Sequence, residues 1–283
     1  MALFNRQISL SIGPEGSEQG IGINGLRVNF KIKKSEKPET NNALIDIYNL
    51  SKDTREKLIN INDLVILNAG YFDNVGVENI FIGNITNINH IKQGADLITK
   101  LECDDGAKVL REQKIKLSYK EGTSAKEVLT DVINSIPLAS QFVDTTDIED
   151  VEFVNGFSFA GPFKFILDKL SSKLNLEWSI QDNELQIISV GGTNKKEAIH
   201  LTSQTGLIGT PERVQDLTKQ KKTERPGWRV TSLLFPKISI GGLISIESRS
   251  IKKGSFFRVI NIEHKGDTWG NEWNTFSEIE ERK

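Results

Sequence analysis

Histidine, cysteine and carboxylate side chains carry most protein chemistry, and this sequence of 283 residues is poor in the first two. The three histidines, His90, His200 and His264, fall about one in each third of the chain. None has a second His or a Cys at metal-ligand spacing. His264 stands near Asp267 in "NIEHKGDTWGNEW", which could be a fragment of a hydrolytic triad. No G-x-S-x-G elbow accompanies it, so the segment reads as a hairpin turn in which Gly266 and Gly270 supply backbone freedom. The single cysteine, Cys103, excludes an intrachain disulfide and a Cys-rich zinc site. It shares one strand face with Leu97, Thr99 and Leu101, which predicts a small buried side chain. The carboxylates of "DTTDIEDVE", Asp144 to Glu152, crowd one turn instead of facing each other across a cleft. They read as a solvated acidic loop without the EF-hand pattern. "GIGING", Gly20 to Gly25, is a turn with no helix after it, so no phosphate loop is present. Lys219, Lys221, Lys222 and Arg225 form a basic run that includes Glu224 and lacks interleaved aromatics. That run is either solvated or partner-facing. No catalytic residue, cofactor or metal is assigned, and the chain is not expected to be an enzyme.

Bulk properties agree with a globular protein. Lys plus Arg number 36 and Asp plus Glu 38, a net charge of -2, which gives no global drive toward nucleic acid or anionic lipid. Hydrophobic residues make up 37%, enough for a sizeable core. The start "MALFNRQISLSIG" has no secretory character. No apolar run approaches the ~18 residues of a membrane span, so no membrane insertion is expected.

The elements that must position any site are mostly strands. Residues 1–104 hold six alternating segments, among them "RQISLSIG", "LRVNFKIKK" and "DLVILNAGY", separated by polar turns. This spacing predicts a small barrel or sandwich. Residues 105–193 change character. "GTSAKEVLTDVINSI" carries a capping box, Ser124 and Glu127, ahead of a helical apolar stripe. "GPFKFILDKLSSKLNL" is a second helix, with Pro162 at its first position. "LEWSIQDNELQIIS" is a hairpin turning at Asp182-Asn183, and "SVGGTNKKE" reads as a linker. Residues 194–283 return to strands, interrupted by a basic loop over 214–227. The fold class is therefore mainly β with an α+β insert.

One stretch joins two patterns without a break. In "NNALIDIYNLSKDTREKL", Ala43, Ile45 and Ile47 alternate as a strand, and a short polar helix follows at once. Ser51 can cap that helix. Leu50 and Leu58 can pin it over a barrel end, leaving Asp53, Arg55 and Glu56 to face water or a neighbouring subunit.

That stretch resembles an element near the N-terminus of phage baseplate hub proteins, where a strand ending in "IYNLS" runs into a short polar helix. "TGLIGTPERV", "GWRVTSLLFPKISIGGLISIES" and "FRVINIEHKGDTWGNEWNTFSEIE" are similar, in that order, to the C-terminal third of the same family. The resemblance implies two tail-tube-like β-barrels flanking the helix-plus-ribbon module. It implies a homotrimer forming a pseudo-sixfold ring in the virion baseplate, made in the host cytoplasm. One face of such a ring meets the tail tube or a tube-adjacent ring protein, the other meets the central spike, and DNA passes through without sequence-specific binding. Candidate subunit-interface or partner residues are Leu50, Arg55, Lys221, Lys222, Trp269 and Trp273. The basic stretch after Arg213 departs from the short acidic or glycine-containing turn expected there. A distal tail or tube-initiator protein and a peptidoglycan-directed tail-tip enzyme or binding module are the alternatives.

Overall fold

Alternate side chains of a strand point to opposite faces, so a period-2 apolar pattern buries one face and wets the other. The computed structural model describes residues 5–281 apart from 18–19, 73–75, 139, 146–147, 215–226 and 252–253. Its first region holds β1 (Arg6–Gly13), β2 (Ile21–Ile23), β3 (Val28–Ser35), β4 (Asn41–Tyr48), β5 (Leu64–Tyr71), β6 (Gly76–Gln93) and β7 (Asp96–Asp105). On β4, Ala43, Ile45 and Ile47 are fully buried while Leu44 is exposed. Cys103 lies in the same core.

The middle region begins with α1 (Ala107–Glu112), β8 (Lys114–Tyr119) and β9 (Thr123–Ser124). It continues with α2 (Ala125–Asn134), β10 (Ser140–Val143), β11 (Glu152–Phe153), β12 (Phe157–Pro162) and α3 (Phe163–Leu174), and ends in the ribbon β13 (Leu176–Gln181) and β14 (Glu184–Ser189). Ser124 Oγ accepts from the backbone N–H groups of Lys126 and Glu127, at 3.1 and 3.2 Å, which caps α2. Pro162 is the extended residue before α3 and not its first helical residue, with ψ at 141°. Phe163, Ile166, Leu167, Leu170 and Leu174 are buried along α3, and Trp178 packs edge-on to Phe163. Asp182 and Asn183 take φ of 54° and 63°, the left-handed pair that a two-residue hairpin turn requires.

The last region holds β15 (Ile199–Leu201), β16 (Leu207–Val214), β17 (Gly227–Leu233), β18 (Leu243–Ile246), β19 (Phe256–Asp267) and β20 (Trp273–Glu281). Val214 and Gly227, the ends of the expected loop, are paired strand residues. Lys219, Lys221, Lys222 and Arg225 lie outside the described residues.

The chain is mainly β, with the helix-and-ribbon segment set between two barrel-like regions. Those regions form one sheet, in the order β16-β17-β20-β19-β3-β4-β7-β6-β5-β1-β2, with β18 and β15 branching from β19. The join is β3 against β19, antiparallel from Asn29↔Asp267 to Ser35↔Asn261. Leu234 and Trp273, from the last region, belong to the apolar core of the first. A second core is drawn from 115–187 and a third from 201–279. The stretch "SVGGTNKKE" is anchored rather than loose. Asn194 is buried, its Nδ2 donates to Ser239 Oγ and Ile240 O at 2.9 and 3.0 Å, and its N–H donates to Gly241 O.

Candidate interaction surfaces

The candidate catalytic fragment is taken apart by the fold. His264 lies inside β19, not in a turn, between Ile32 of β3 and Thr275 of β20. Its Nδ1 shares a 2.8 Å hydrogen bond with Thr275 Oγ1. Complete burial, with Lys34 nearby, lowers its pKa to about 3, so it stays neutral at physiological pH. Asp267 faces away from it and pairs with Arg27, Nε to Oδ1 at 3.1 Å and Nη2 to Oδ2 at 2.6 Å. That fork holds the Asp267 carboxyl below the usual carboxylate range. Gly266 is also inside the strand, and its role is close packing rather than backbone freedom, because the Phe30 and Trp273 rings fill the space where a Cβ would stand. Burial pushes the Cys103 thiol up to about 12, with Asp104 and Glu102 adding to the shift. Among the described residues, no group of three His, Cys, Asp or Glu side chains is placed to hold a metal.

The expected acidic loop is partly structural. Asp150 accepts from Ser124 Oγ and from the N–H of Lys126, reinforcing the start of α2. Asp144 pairs with Lys195 at 2.8 Å.

The β19–β20 hairpin tip, Thr268 to Glu272, is held on several sides. Thr268 exchanges hydrogen bonds with the Val28 backbone, through Oγ1 at 3.0 Å and its N–H at 3.0 Å. Asp267 Oδ1 accepts from the Trp269 N–H at 2.9 Å. Arg6 donates to Gly270 O at 2.8 Å and Asn271 O at 3.3 Å, and its guanidinium lies over the Trp273 ring. The result is a fixed loop whose one large apolar side chain, Trp269, is 73% exposed. Phe72, the residue after the Arg6 strand partner Tyr71, is 68% exposed. An exposed tryptophan on a braced loop beside an arginine has the composition of an interface anchor.

The other sequence candidates divide. Trp273 is fully buried and edge-on to Phe30 at 5.6 Å, so its ring has no surface to offer a partner. Leu50 is likewise buried in the first core. The segment after it is a single π-helical turn, Thr54–Leu58, whose Thr54 N–H donates to Ser51 Oγ at 3.1 Å. Arg55 is half-buried and donates to Leu50 O at 2.9 Å. The side chain of Leu58 and all of Lys221 and Lys222 lie outside what is described. Arg6 and Arg27 escaped the sequence reading because their partners are 240 to 265 residues away and leave no local pattern.

The second surface is the wet face of the large sheet. Across β4, β3, β19, β20 and β17 it presents Asp46, Lys31, Lys33, Glu263, Lys265, Glu278 and Arg229. Opposite charges meet: Lys31, Lys33 and Lys265 approach Glu263 at 3.4, 4.0 and 2.7 Å. Lys100 meets Asp46 at 3.0 Å, and Arg229 meets Glu278 at 2.8 Å. Such a face carries many charges but little net field.

Comparison with known proteins follows from this geometry. A family model described as baseplate hub gp41 matches residues 8–251. Among curated proteins none matches in sequence. Among solved structures, the chain is similar to a tail protein of Neisseria meningitidis MC58, with 10% identity, a TM-score of 0.63, and coverage of 97% of this chain and 96% of that one. A 43 kDa tail protein of prophage MuSo2 from Shewanella oneidensis gives 10% identity and a TM-score of 0.61 over 96% and 98% of the two chains. An E. coli type VI secretion component, described as structurally similar to the T4 tail proteins gp27 and gp5, gives 9% identity and 0.61 over 95% and 76%. At these identities the solved structures speak to the fold.

Proposed function

The chain belongs to the baseplate hub gp41 family and is a structural protein of the phage tail baseplate, and from that premise we propose that three copies close into a pseudo-sixfold ring joining the tail tube to the central spike. The observation that carries the proposal is the single sheet running through both barrel regions, which among the described residues ends on unlike strands, β2 at one end and β16 at the other. Unlike edges can associate head to tail, and head-to-tail contacts form a closed ring where the rotation between copies closes. The β16 edge is kinked, with Gly209 at a φ of 69°, Pro211 after it, and a register shift between Ile208 and Glu212. That kink limits pairing with arbitrary strands while leaving a shaped partner free to dock. The charge-matched sheet face supports DNA passage, because cations already engaged by carboxylates release few counterions from phosphate and do not hold the polymer.

Light scattering of the purified chain, alone and with a candidate spike protein, tests this reading. A mass near three times the 31.7 kDa chain and threefold particles in electron micrographs are expected. A strict monomer under both conditions overturns the ring, and sixfold particles point to a distal tail or tube-initiator protein.

A further inference from the structure

The two barrel regions are joined by backbone pairing and by shared core residues, whereas the middle module is joined to them differently. Among the described residues, its strands pair only with one another and its core is self-contained. What faces the barrels is the outer side of the β13–β14 ribbon. Strand alternation puts Trp178, Ile180, Leu185 and Ile187 on the module's core and leaves Glu177, Ser179, Gln181, Gln186 and Ile188 on the other face. Ser179, Gln181, Gln186 and Ile188 on that second face are buried too and Glu177 is half-buried, yet the face is polar except for Ile188, which rests near Gly241.

Two polar clusters hold it. At one end Arg258, 2% exposed, gathers three carboxylates: Glu36 at 2.7 Å, Glu177 at 2.9 Å and Glu280 at 3.1 Å. These come from the first barrel region, the middle module and the last barrel region. At the ribbon tip the buried Asp105 accepts from the N–H groups of Asp182 and Asn183 at 2.5 and 2.8 Å and from Asn41 Nδ2 at 3.3 Å. Lys34 pairs with Asp182 there. Between the two sites, Gln181 donates to Ser35 O at 2.8 Å, Asn41 to Ile180 O at 2.7 Å, and Gln186 to Ile240 O at 3.3 Å. Water can replace each of these bonds at modest cost, whereas it cannot replace an apolar core. Polar interfaces between units of one chain are the ones that open.

We propose that the middle module is a reversible arm, latched across both barrels by Arg258 at one end of its ribbon and by Asp105 at the other, and able to undock as a folded unit. The arm does not depend on the ring reading and can fail or hold without it. Burial, followed by the charge of Asp182, pushes the Asp105 carboxyl up to about 7, against the backbone N–H of Asn183, the cation of Lys34 and the amide of Asn41. A raised carboxyl pKa means that the docked state holds the proton more tightly. Docking is then strongest when Asp105 is protonated and weakens as pH rises through about 7. With an undocked value near the ordinary ~3.9, linkage gives roughly a tenfold weaker latch at pH 8 than at pH 6.

Hydrogen exchange of the full chain, corrected for intrinsic rates, tests the arm. The expected result is faster exchange of the junction N–H groups of Ile82, Asp182 and Asn183, whose acceptors lie across the interface, at pH 8 than at pH 6, with the β13–β14 ladder itself still protected. The barrel cores and α2–α3 should stay protected. Glu177→Gln should speed exchange of the same N–H groups at both pH values, and Arg258→Met should do so further. Should Arg258→Met fail to fold, Glu177→Gln decides. Junction exchange that ignores both pH and Glu177→Gln, or that rises only together with the barrel cores, overturns the proposal.

Discussion

Replacing Gly266 by alanine should destabilise the protein through the two rings that meet over it. A Cβ at this position would lie 2.4 and 2.5 Å from Phe30 Cζ and Cε1, and 2.8 Å from Trp273 Cε3. Carbon atoms in contact prefer about 3.5–4 Å, so the new methyl would penetrate the Phe30 ring by about 1 Å. Neither ring can retreat, because Phe30 is 1% exposed, Trp273 is 0% exposed and the two already pack edge-on. Overpacking of this kind costs about 1–3 kcal/mol. For a chain of this size, each kcal/mol lowers Tm by about 2–4 °C, so scanning calorimetry should find a loss of roughly 2–12 °C. Phe30→Leu in the same chain removes the clashing ring atoms. The double variant should therefore lose less than the two single variants together, with a coupling of about 0.5–3 kcal/mol. An unchanged Tm for Gly266→Ala, or strict additivity with Phe30→Leu, would refute the packing argument and return this glycine to a backbone role.

Leu50→Asp puts a carboxylate into the first core and should lower Tm by several degrees, whereas Glu56→Ala, on the exposed side of the π-helical turn, should stay within about 0.5 kcal/mol; equal losses in calorimetry would contradict the division of that turn into a buried and a wet side. The lowered Asp267 pKa means that its pairing with Arg27 stabilises the fold above the ordinary carboxylate value and that this stability is lost as pH falls through the folded value. Asp267→Asn should therefore cost about 1 kcal/mol in urea unfolding at pH 7 and progressively less toward pH 3, and a pH-independent cost would count against the ion pair. Cys103, buried with its thiol raised to about 12, should ignore a thiol reagent at pH 8 until the protein unfolds, so rapid native-state labelling would show that its core opens.

Local rules made a large part of this fold legible. The period-2 pattern of Ala43, Ile45 and Ile47 marked β4, Ser124 marked the start of α2, and Asp182-Asn183 marked the hairpin turn. Each of these depends on residues a few positions apart. The chemistry near His264 was harder to read. Adjacency of His264 and Asp267 suggested a pair, yet the strand carries one into the core and delivers the other to Arg27. Trp269 and Trp273 looked alike in sequence, but the hairpin tip exposes the first and β20 buries the second.

By itself, the sequence determined most of the strands of the outer regions, the helices α2 and α3, and the β13–β14 hairpin that follows them. Tertiary structure alone decided that the outer regions share one sheet through β3 and β19. It also decided that the polar side of the β13–β14 ribbon faces protein instead of water, and that Arg258 gathers carboxylates from three parts of the chain. The physical reason is range. Propensity, capping and alternation are set by neighbours along the chain. Strand partners more than 200 residues apart, and the burial of a polar face, are set by which edges and charges match once the chain is folded.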